Sequence, residues 1–141
     1  MRITTKGRYS LRALVHLTAE NRDGPHSIRE LSEQEGISPE FLEQLFFRLR
    51  KAGIIKSNRG PKGGFRLNRD PSKISAKEIF LAVGEEISLT PCTSEDMDLE
   101  KCVRSQSCTL EGVWTDASKH INTYFEGLTL QNIVDKYSIE N

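Results

Sequence analysis

The sequence predicts a mainly α-helical fold with one small β-hairpin and one long helix in its second half. Three observations predict it. Apolar residues recur at helical spacing through most of the chain, interrupted by glycine and proline. A glycine-rich basic tip, Arg59-Gly60-Pro61-Lys62-Gly63-Gly64-Phe65-Arg66, lies between two short apolar runs. The charge is also divided: residues 1–75 carry 15 Lys and Arg against 8 Asp and Glu, whereas residues 76–141 carry 5 against 12. The net charge of zero therefore conceals a basic half and an acidic half, of +7 and −7.

Ile3 to Glu20 reads as the first helix, with Thr4 and Thr5 as caps and Tyr9, Ala13, Leu14 and Leu17 at helical spacing. Asn21-Arg22-Asp23-Gly24-Pro25 breaks it. Ser27-Ile28-Arg29-Glu30 is a capping box, in which the serine hydroxyl accepts the third amide and the glutamate reaches back. Ile28 and Leu31 face inward, and Gly36 ends this short helix. Ser38-Pro39 opens the next, with a cap serine and a proline in the first turn. Phe41, Leu42, Leu45, Phe46 and Leu49 line its buried face, and Gly53 stops it. A short helix, a glycine turn and a longer helix make a helix-turn-helix.

The basic tip follows. Its glycines and proline cannot build a core, so they make a tight exposed turn, the tip of a wing. Pro71-Ser72-Lys73-Ile74 reads as a linker, and Ser75-Ala76-Lys77-Glu78 as a second capping box opening a helix through Val83. The expected division is a winged helix-turn-helix domain over 1–75 and a second domain over 76–141. No sustained period appears from Glu85 to Cys108, which holds all three cysteines and the acids Glu95, Asp96, Asp98 and Glu100. Leu110, Val113, Trp114, Ala117, Ile121, Tyr124, Phe125 and Leu128 then form a wide stripe on a helix near 109–127. Thr129 caps a last short helix carrying Ile133 and Val134.

The 141 residues suffice for one compact domain with an appendage, or for two small lobes. No apolar run approaches the roughly 18–20 residues of a membrane span, and Met1 to Lys6 lacks the apolar stretch of a signal peptide. A cytoplasmic protein is expected. An odd number of cysteines in a reducing compartment does not suggest a disulfide framework.

Arg59, Lys62 and Arg66 at one exposed tip point to an anionic surface, and the helix-turn-helix makes that surface DNA. The second helix of such a unit presents its first residues to base edges in the major groove. Here these are Ser38, Pro39, Glu40, Glu43 and Gln44. A glutamate beside phosphates is costly unless it accepts from cytosine N4. Glu40 reads equally as a favourable first-turn acid. Arg48, Arg50 and Lys51 are either solvated charges or phosphate contacts, which position without specifying. Arg59 suits a narrow, A·T-rich minor groove.

The cysteine spacing is Cys92-x9-Cys102-x5-Cys108. A zinc ribbon would show paired C-x2-C elements. Three thiolates in an irregular loop suit a metal or iron–sulfur centre that takes a fourth ligand from elsewhere. The competing reading is three free thiols, some of them small buried hydrophobes. His16, His26 and His120 lie in three separate segments, so the sequence offers no enzyme site.

Three stretches carry a resemblance. They are Met1-Arg2-Ile3-Thr4-Thr5-Lys6-Gly7-Arg8-Tyr9, the segment from Gly36 to Phe46, and the wing from Arg59 to Phe65. Together they resemble the Rrf family of winged-helix transcription regulators, on its iron–sulfur cluster-sensing, IscR-like branch and its nitric-oxide-sensing relatives. The resemblance runs from Met1 to about Tyr137. It implies a homodimer built on the long helix with Trp114, binding to a pseudo-palindromic promoter site, and DNA contacts at Glu43 and Arg59. It also implies that Cys92, Cys102 and Cys108 hold the iron of a [2Fe-2S] or [4Fe-4S] cluster.

Several positions depart from the family pattern. Glu40 replaces a serine, and the first cysteine gap is longer than usual there. Glu111 stands where IscR-like proteins have a histidine, and Arg8 where nitric-oxide-sensing relatives have an aspartate. The fourth ligand is then Glu111, Asp96, Asp98, a serine or water, and a labile centre is expected. The function expected is a redox-sensing transcription regulator, read as a repressor. The alternatives are a cluster-free regulator of the same fold, using thiol oxidation or a partner protein, and a small iron–sulfur electron carrier.

Overall fold

The computed structural model describes residues 2–20, 24–94, 102, 104 and 107–137. Helix α1 (Thr5–Ala19) has Thr4 at its N-cap, but the Thr4 hydroxyl makes no cap bond. Instead the Thr4 amide donates to Glu85 Oε1 at 2.6 Å, and its hydroxyl donates to Oε2 of the same carboxylate. The cap expected from a local threonine is supplied by an acid 81 residues further along the chain. A negative charge there also meets the positive end of the helix dipole.

Helix α2 (Ile28–Glu35) carries the expected capping box: Ser27 Oγ accepts from the Glu30 amide and Glu30 Oε2 from the Ser27 amide, both at 3.1 Å. Helix α3 (Pro39–Lys51) is capped by Ser38, whose Oγ accepts from the Phe41 amide at 3.2 Å. Leu42, Leu45, Phe46 and Leu49 are buried along α3 and share one core with Leu14, Leu17, Leu31 and Ile54. Phe41 lies at the margin of that core, against Tyr9. Strands β1 (Ile55–Asn58) and β2 (Gly64–Leu67) pair antiparallel, in register from Ile55↔Leu67 to Asn58↔Gly64.

Residues 71–74 are not a free linker. Pro71–Lys73 form a 3-10 turn capped by Asp70, and Ile74 is fully buried. The reason is pairing with the end of the chain: the Leu130 amide donates to Ile74 O at 3.0 Å, and the Ala76 amide to Leu128 O at 2.8 Å. Helix α4 (Ala76–Ala82) follows. Ser75 Oγ accepts from the Glu78 amide at 3.1 Å, but the Glu78 carboxylate pairs with Arg69. The second capping box is therefore half-formed. Ile74, Ile79 and Val83 join the core made by α1 and α3, so a single apolar interior spans residue 75.

Helix α5 (Glu111–Gly127) rests on α4 through Ile121, Phe125 and Leu128, with the Phe80 and Phe125 rings edge to face at 5.2 Å. Helix α6 (Leu130–Tyr137) starts at a reciprocal pair: Thr129 Oγ1 accepts from the Asn132 amide and Asn132 Oδ1 from the Thr129 amide, both at 3.1 Å. Among the described residues, no helix is long and apolar enough to cross a membrane.

Candidate functional site

Burial of Leu42, Leu45, Phe46 and Leu49 turns the opposite face of α3 to solvent. Ser38, Pro39, Glu40, Glu43, Gln44 and Arg50 are all exposed. So is Phe47, at 58%. Arg48 behaves differently from its basic neighbours, because its Nη1 donates to Val83 O at 2.9 Å, at the C-terminal end of α4. A guanidinium there satisfies a terminal carbonyl and complements the helix dipole. Arg48 thus ties α3 to α4, whichever of its two sequence readings is applied to its neighbours.

The wing tip is a tight turn in which the Gly63 amide donates to Gly60 O at 2.9 Å. A Cβ on Gly63 would stand 2.3 Å from Asn58 O, so the turn admits only glycine there. Arg59 and Lys62 are exposed on this tip. Arg66 lies on β2 opposite Lys56; it is half-buried, and its Nε is enclosed without a hydrogen-bond partner in the described residues. Lys56, Arg59 and Lys62 are exposed and leave the hairpin cationic.

One support of the wing was not visible in the sequence. His26 forms a bridge to Phe65, its amide donating at 2.9 Å and its carbonyl accepting at 2.7 Å. The loop before α2 is thereby pinned to β2 by an isolated bridge. It passes so close that a Cβ on Gly64 would meet His26 O at 2.4 Å. The same approach brings together two histidines that are apart in sequence: the rings of His16 and His26 lie edge to face at 5.8 Å. His16 Nδ1 is 3.2 Å from Glu35 and His26 Nδ1 is 3.6 Å from Glu30, and Arg12 also pairs with Glu35. These contacts brace α1, α2 and the wing root. His120 is on α5, away from this group in the chain and exposed.

Cys92 sits in a 3-10 turn (Pro91–Thr93), half-buried, with its Sγ 3.0 Å from Thr90 Oγ1. The approach to this turn is fixed on α5. The Leu89 amide donates to Ser118 Oγ at 3.3 Å, and Asn122 Nδ2 donates to Ile87 O at 3.1 Å. Cys102 and Cys108 are also half-buried, and all three thiols are free of disulfides. Glu111 is exposed at the first turn of α5. Glu95, Asp96, Asp98 and Glu100 fall outside the described residues. Among the described residues, no three His, Cys, Asp or Glu side chains converge on one point as a metal site would require. The donor set suits soft iron in kind, since it offers three unpaired thiols, but the described residues do not gather it.

One short segment links the two regions. Val83 receives Arg48 of α3, Glu85 holds the start of α1, Ile87 and Leu89 are held by α5, and Cys92 follows. Glu85 is 5% exposed, and Gly7 packs on it so closely that a Cβ would stand 3.1 Å from Glu85 Cγ. A buried glutamate just after a helix gives no periodic signal, so the sequence alone could not single it out.

Residues 3–136 match the Rrf2 family, described as iron-dependent transcriptional regulators. The chain belongs to the Rrf2 family. It is 37% identical over 139 residues to the HTH-type transcriptional regulator IscR of Yersinia enterocolitica, covering 99% of this chain and 82% of that one. Among solved structures it is similar to a transcriptional regulator from Listeria innocua, with a TM-score of 0.82, 32% identity, and coverage of 99% and 90% of the two chains. It is similar to CymR, the global cysteine regulator of B. subtilis, at a TM-score of 0.79, 29% identity, and coverage of 98% and 99%. T. potens IscR aligns at a TM-score of 0.73 and 28% identity, over 100% and 94% of the two chains. The helix-turn-helix and hairpin are thus the DNA-binding winged helix of an Rrf2 transcription regulator.

Proposed function

We propose that this protein is a homodimeric transcription regulator, acting as a repressor, whose affinity for a pseudo-palindromic promoter site is set by the state of its cysteine segment. The observation that supports this most is that segment's attachment: the ten residues from Val83 to Cys92 touch α3, α1 and α5 in turn. Ser38, Pro39, Glu40, Glu43 and Gln44 read bases, while Arg50, Arg59, Lys62 and Arg66 hold the phosphates and the adjoining minor groove. The two domains of this reading are 1–75 for DNA and 76–141 for sensing and dimerisation.

Dimerisation is supported by α5. Residues 111–116 are exposed, and Leu110, Val113, Trp114 and Tyr124 leave half of the apolar stripe uncovered, with Trp114 at 37%. A helical segment whose apolar stripe is left half uncovered is marginal in water, so a second copy of α5 is its natural cover.

Cys92, Cys102 and Cys108 would hold an iron–sulfur cluster, with Glu111 as the candidate oxygen ligand. Such a group, when bound, fastens three points of the loop to one another. Thr90 and Ser118 keep Cys92 in place on α5, and Arg48 carries any displacement of the 83–92 segment to the reading helix. The loop state shifts DNA affinity only by the difference in its stability between the bound and free forms. A coupling of about 1–3 kcal/mol gives roughly 5–150-fold control.

The decisive measurement is an anaerobic absorption spectrum with iron and sulfide counts, followed by promoter titration before and after iron removal, in the wild type and in Glu111→Ala. Visible absorption and a changed affinity support cluster control. Equal affinity in both states would sink the switch while leaving DNA binding intact. A second reading, control by thiol oxidation, is favoured by the three free cysteines and by the similarity to CymR, one structure of which, from Staphylococcus aureus, is of an oxidized form at 26% identity. Colourless anaerobic protein whose DNA affinity falls on mild oxidation and recovers with dithiol would establish that reading.

A further inference from the structure

Glu40, Glu43, Gln44 and Phe47 follow one another at i, i+3, i+4 and i+7, so they form one continuous stripe over two turns of α3. The stripe is opposite the buried Leu42, Leu45, Phe46 and Leu49, and each of its members is exposed. Phe47 is 58% exposed, although Phe46 beside it is fully buried. A side chain of this size gains nothing from water. Its ring is not among the aromatic contacts of the described residues, and it is not one of the hydrophobics packed against either core cluster. Nothing in the described residues therefore accounts for an exposed aromatic ring at the end of this stripe.

The homeodomain reads the major groove with four side chains at this same i, i+3, i+4, i+7 spacing, so a stripe of this length fits the groove. Base edges there present one apolar group, the thymine C5-methyl, and phenylalanine is among the side chains that contact it. We propose that Phe47 is a specificity-determining residue that packs on a thymine methyl in each half-site. This inference rests on the DNA-reading role assigned to α3 above. The helix rises about 1.5 Å per residue, so Phe47 lies roughly 6 Å further along the axis than Glu43. With α3 lying along the groove, that is about two base steps of ~3.4 Å from the base pair read by Glu43. The preferred half-site then carries a cytosine for Glu43 and, about two pairs away, a thymine for Phe47.

The test starts from duplexes selected by the full-length protein from a random pool. In the best of them, each thymine is replaced in turn by deoxyuridine, which removes the methyl and leaves base pairing unchanged. Wild type should bind roughly fourfold more weakly when the contacted thymine of one half-site loses its methyl, the effect of one buried methyl-sized group. Phe47→Ala should bind the thymine and uracil duplexes equally, and Phe47→Leu should retain part of the difference. All three proteins should melt at similar temperatures, since the position is exposed. The inference is overturned if no thymine is methyl-sensitive, if the sensitivity persists in Phe47→Ala, or if that variant loses affinity equally for selected and random duplexes. Selection of no duplex at all would instead remove the DNA-reading role itself.

Discussion

Glu85 shows how one side chain can decide how two parts of a chain meet. Its carboxylate takes both the amide and the hydroxyl of Thr4 while 5% exposed. Glu85→Ala leaves these donors without their partner, and a loss of about 2–4 kcal/mol in urea unfolding is expected. Two glycines of the wing both have positive φ, and only Gly64 is also short of space. At Gly60, φ is +108 with nothing within 4 Å of an added Cβ, so Gly60→Ala should cost about 1–2 kcal/mol from backbone conformation alone. At Gly64 the added Cβ collides with the His26 carbonyl, and Gly64→Ala should cost clearly more and loosen the bridge to Phe65. Comparing the two unfolding midpoints checks this order. Asp70 offers a titration. The Ser72 hydroxyl and amide donate to it at 2.7 and 2.9 Å and hold its carboxyl below 3.8. A depressed acid contributes stability above its unfolded value, and that contribution disappears as pH falls through the folded value. The Asp70 midpoint followed by NMR should therefore lie below 3.8.

The helices show which local signals suffice by themselves. Ser27 with Glu30, and Ser38 with Pro39, were legible because both partners lie within one turn, and the approach of His26 to Glu30 leaves the box intact. Ser75 with Glu78 had the same sequence form, yet Arg69 captures the glutamate from outside the helix. Thr4 likewise lost its capping role to Glu85. The reading helix and wing were legible as elements, and their roles can be separated by binding measurements. Glu43→Ala should relax base preference at one position per half-site, by about 1–3 kcal/mol of discrimination. Lys62→Ala should weaken binding evenly across sequences and reduce the salt slope of the dimer by about two, one for each subunit. Titrations of selected and random duplexes at several salt concentrations distinguish the two.

At the scale of the whole molecule, the interior does not divide where composition does. Charge changes sign near residue 75, but Ile74, Ile79, Val83 and Leu130 pack with Leu14 and Leu49. What extends from this interior is the first half of α5, with Val113 and Trp114 uncovered. If a second copy covers it, Trp114→Asp should yield a folded monomer by sedimentation velocity, with promoter affinity at least about tenfold weaker because two half-sites are no longer bound together. A dimer that persists in this variant would place the interface elsewhere on the chain.

The amino-acid sequence by itself determined the helices, their principal caps, the glycine turn of the wing and the two-signed distribution of charge. Each of these depends on neighbours within a few residues, which periodicity and turn chemistry report directly. Tertiary structure decided the rest. It placed His26 against Phe65, Arg48 against Val83, Glu85 against Thr4 and Ile74 against Leu130, and it left Phe47 in solvent beside the buried Phe46. These pairings join residues far apart in the chain, and their energies come from burial and hydrogen bonds that exist only once the core has closed.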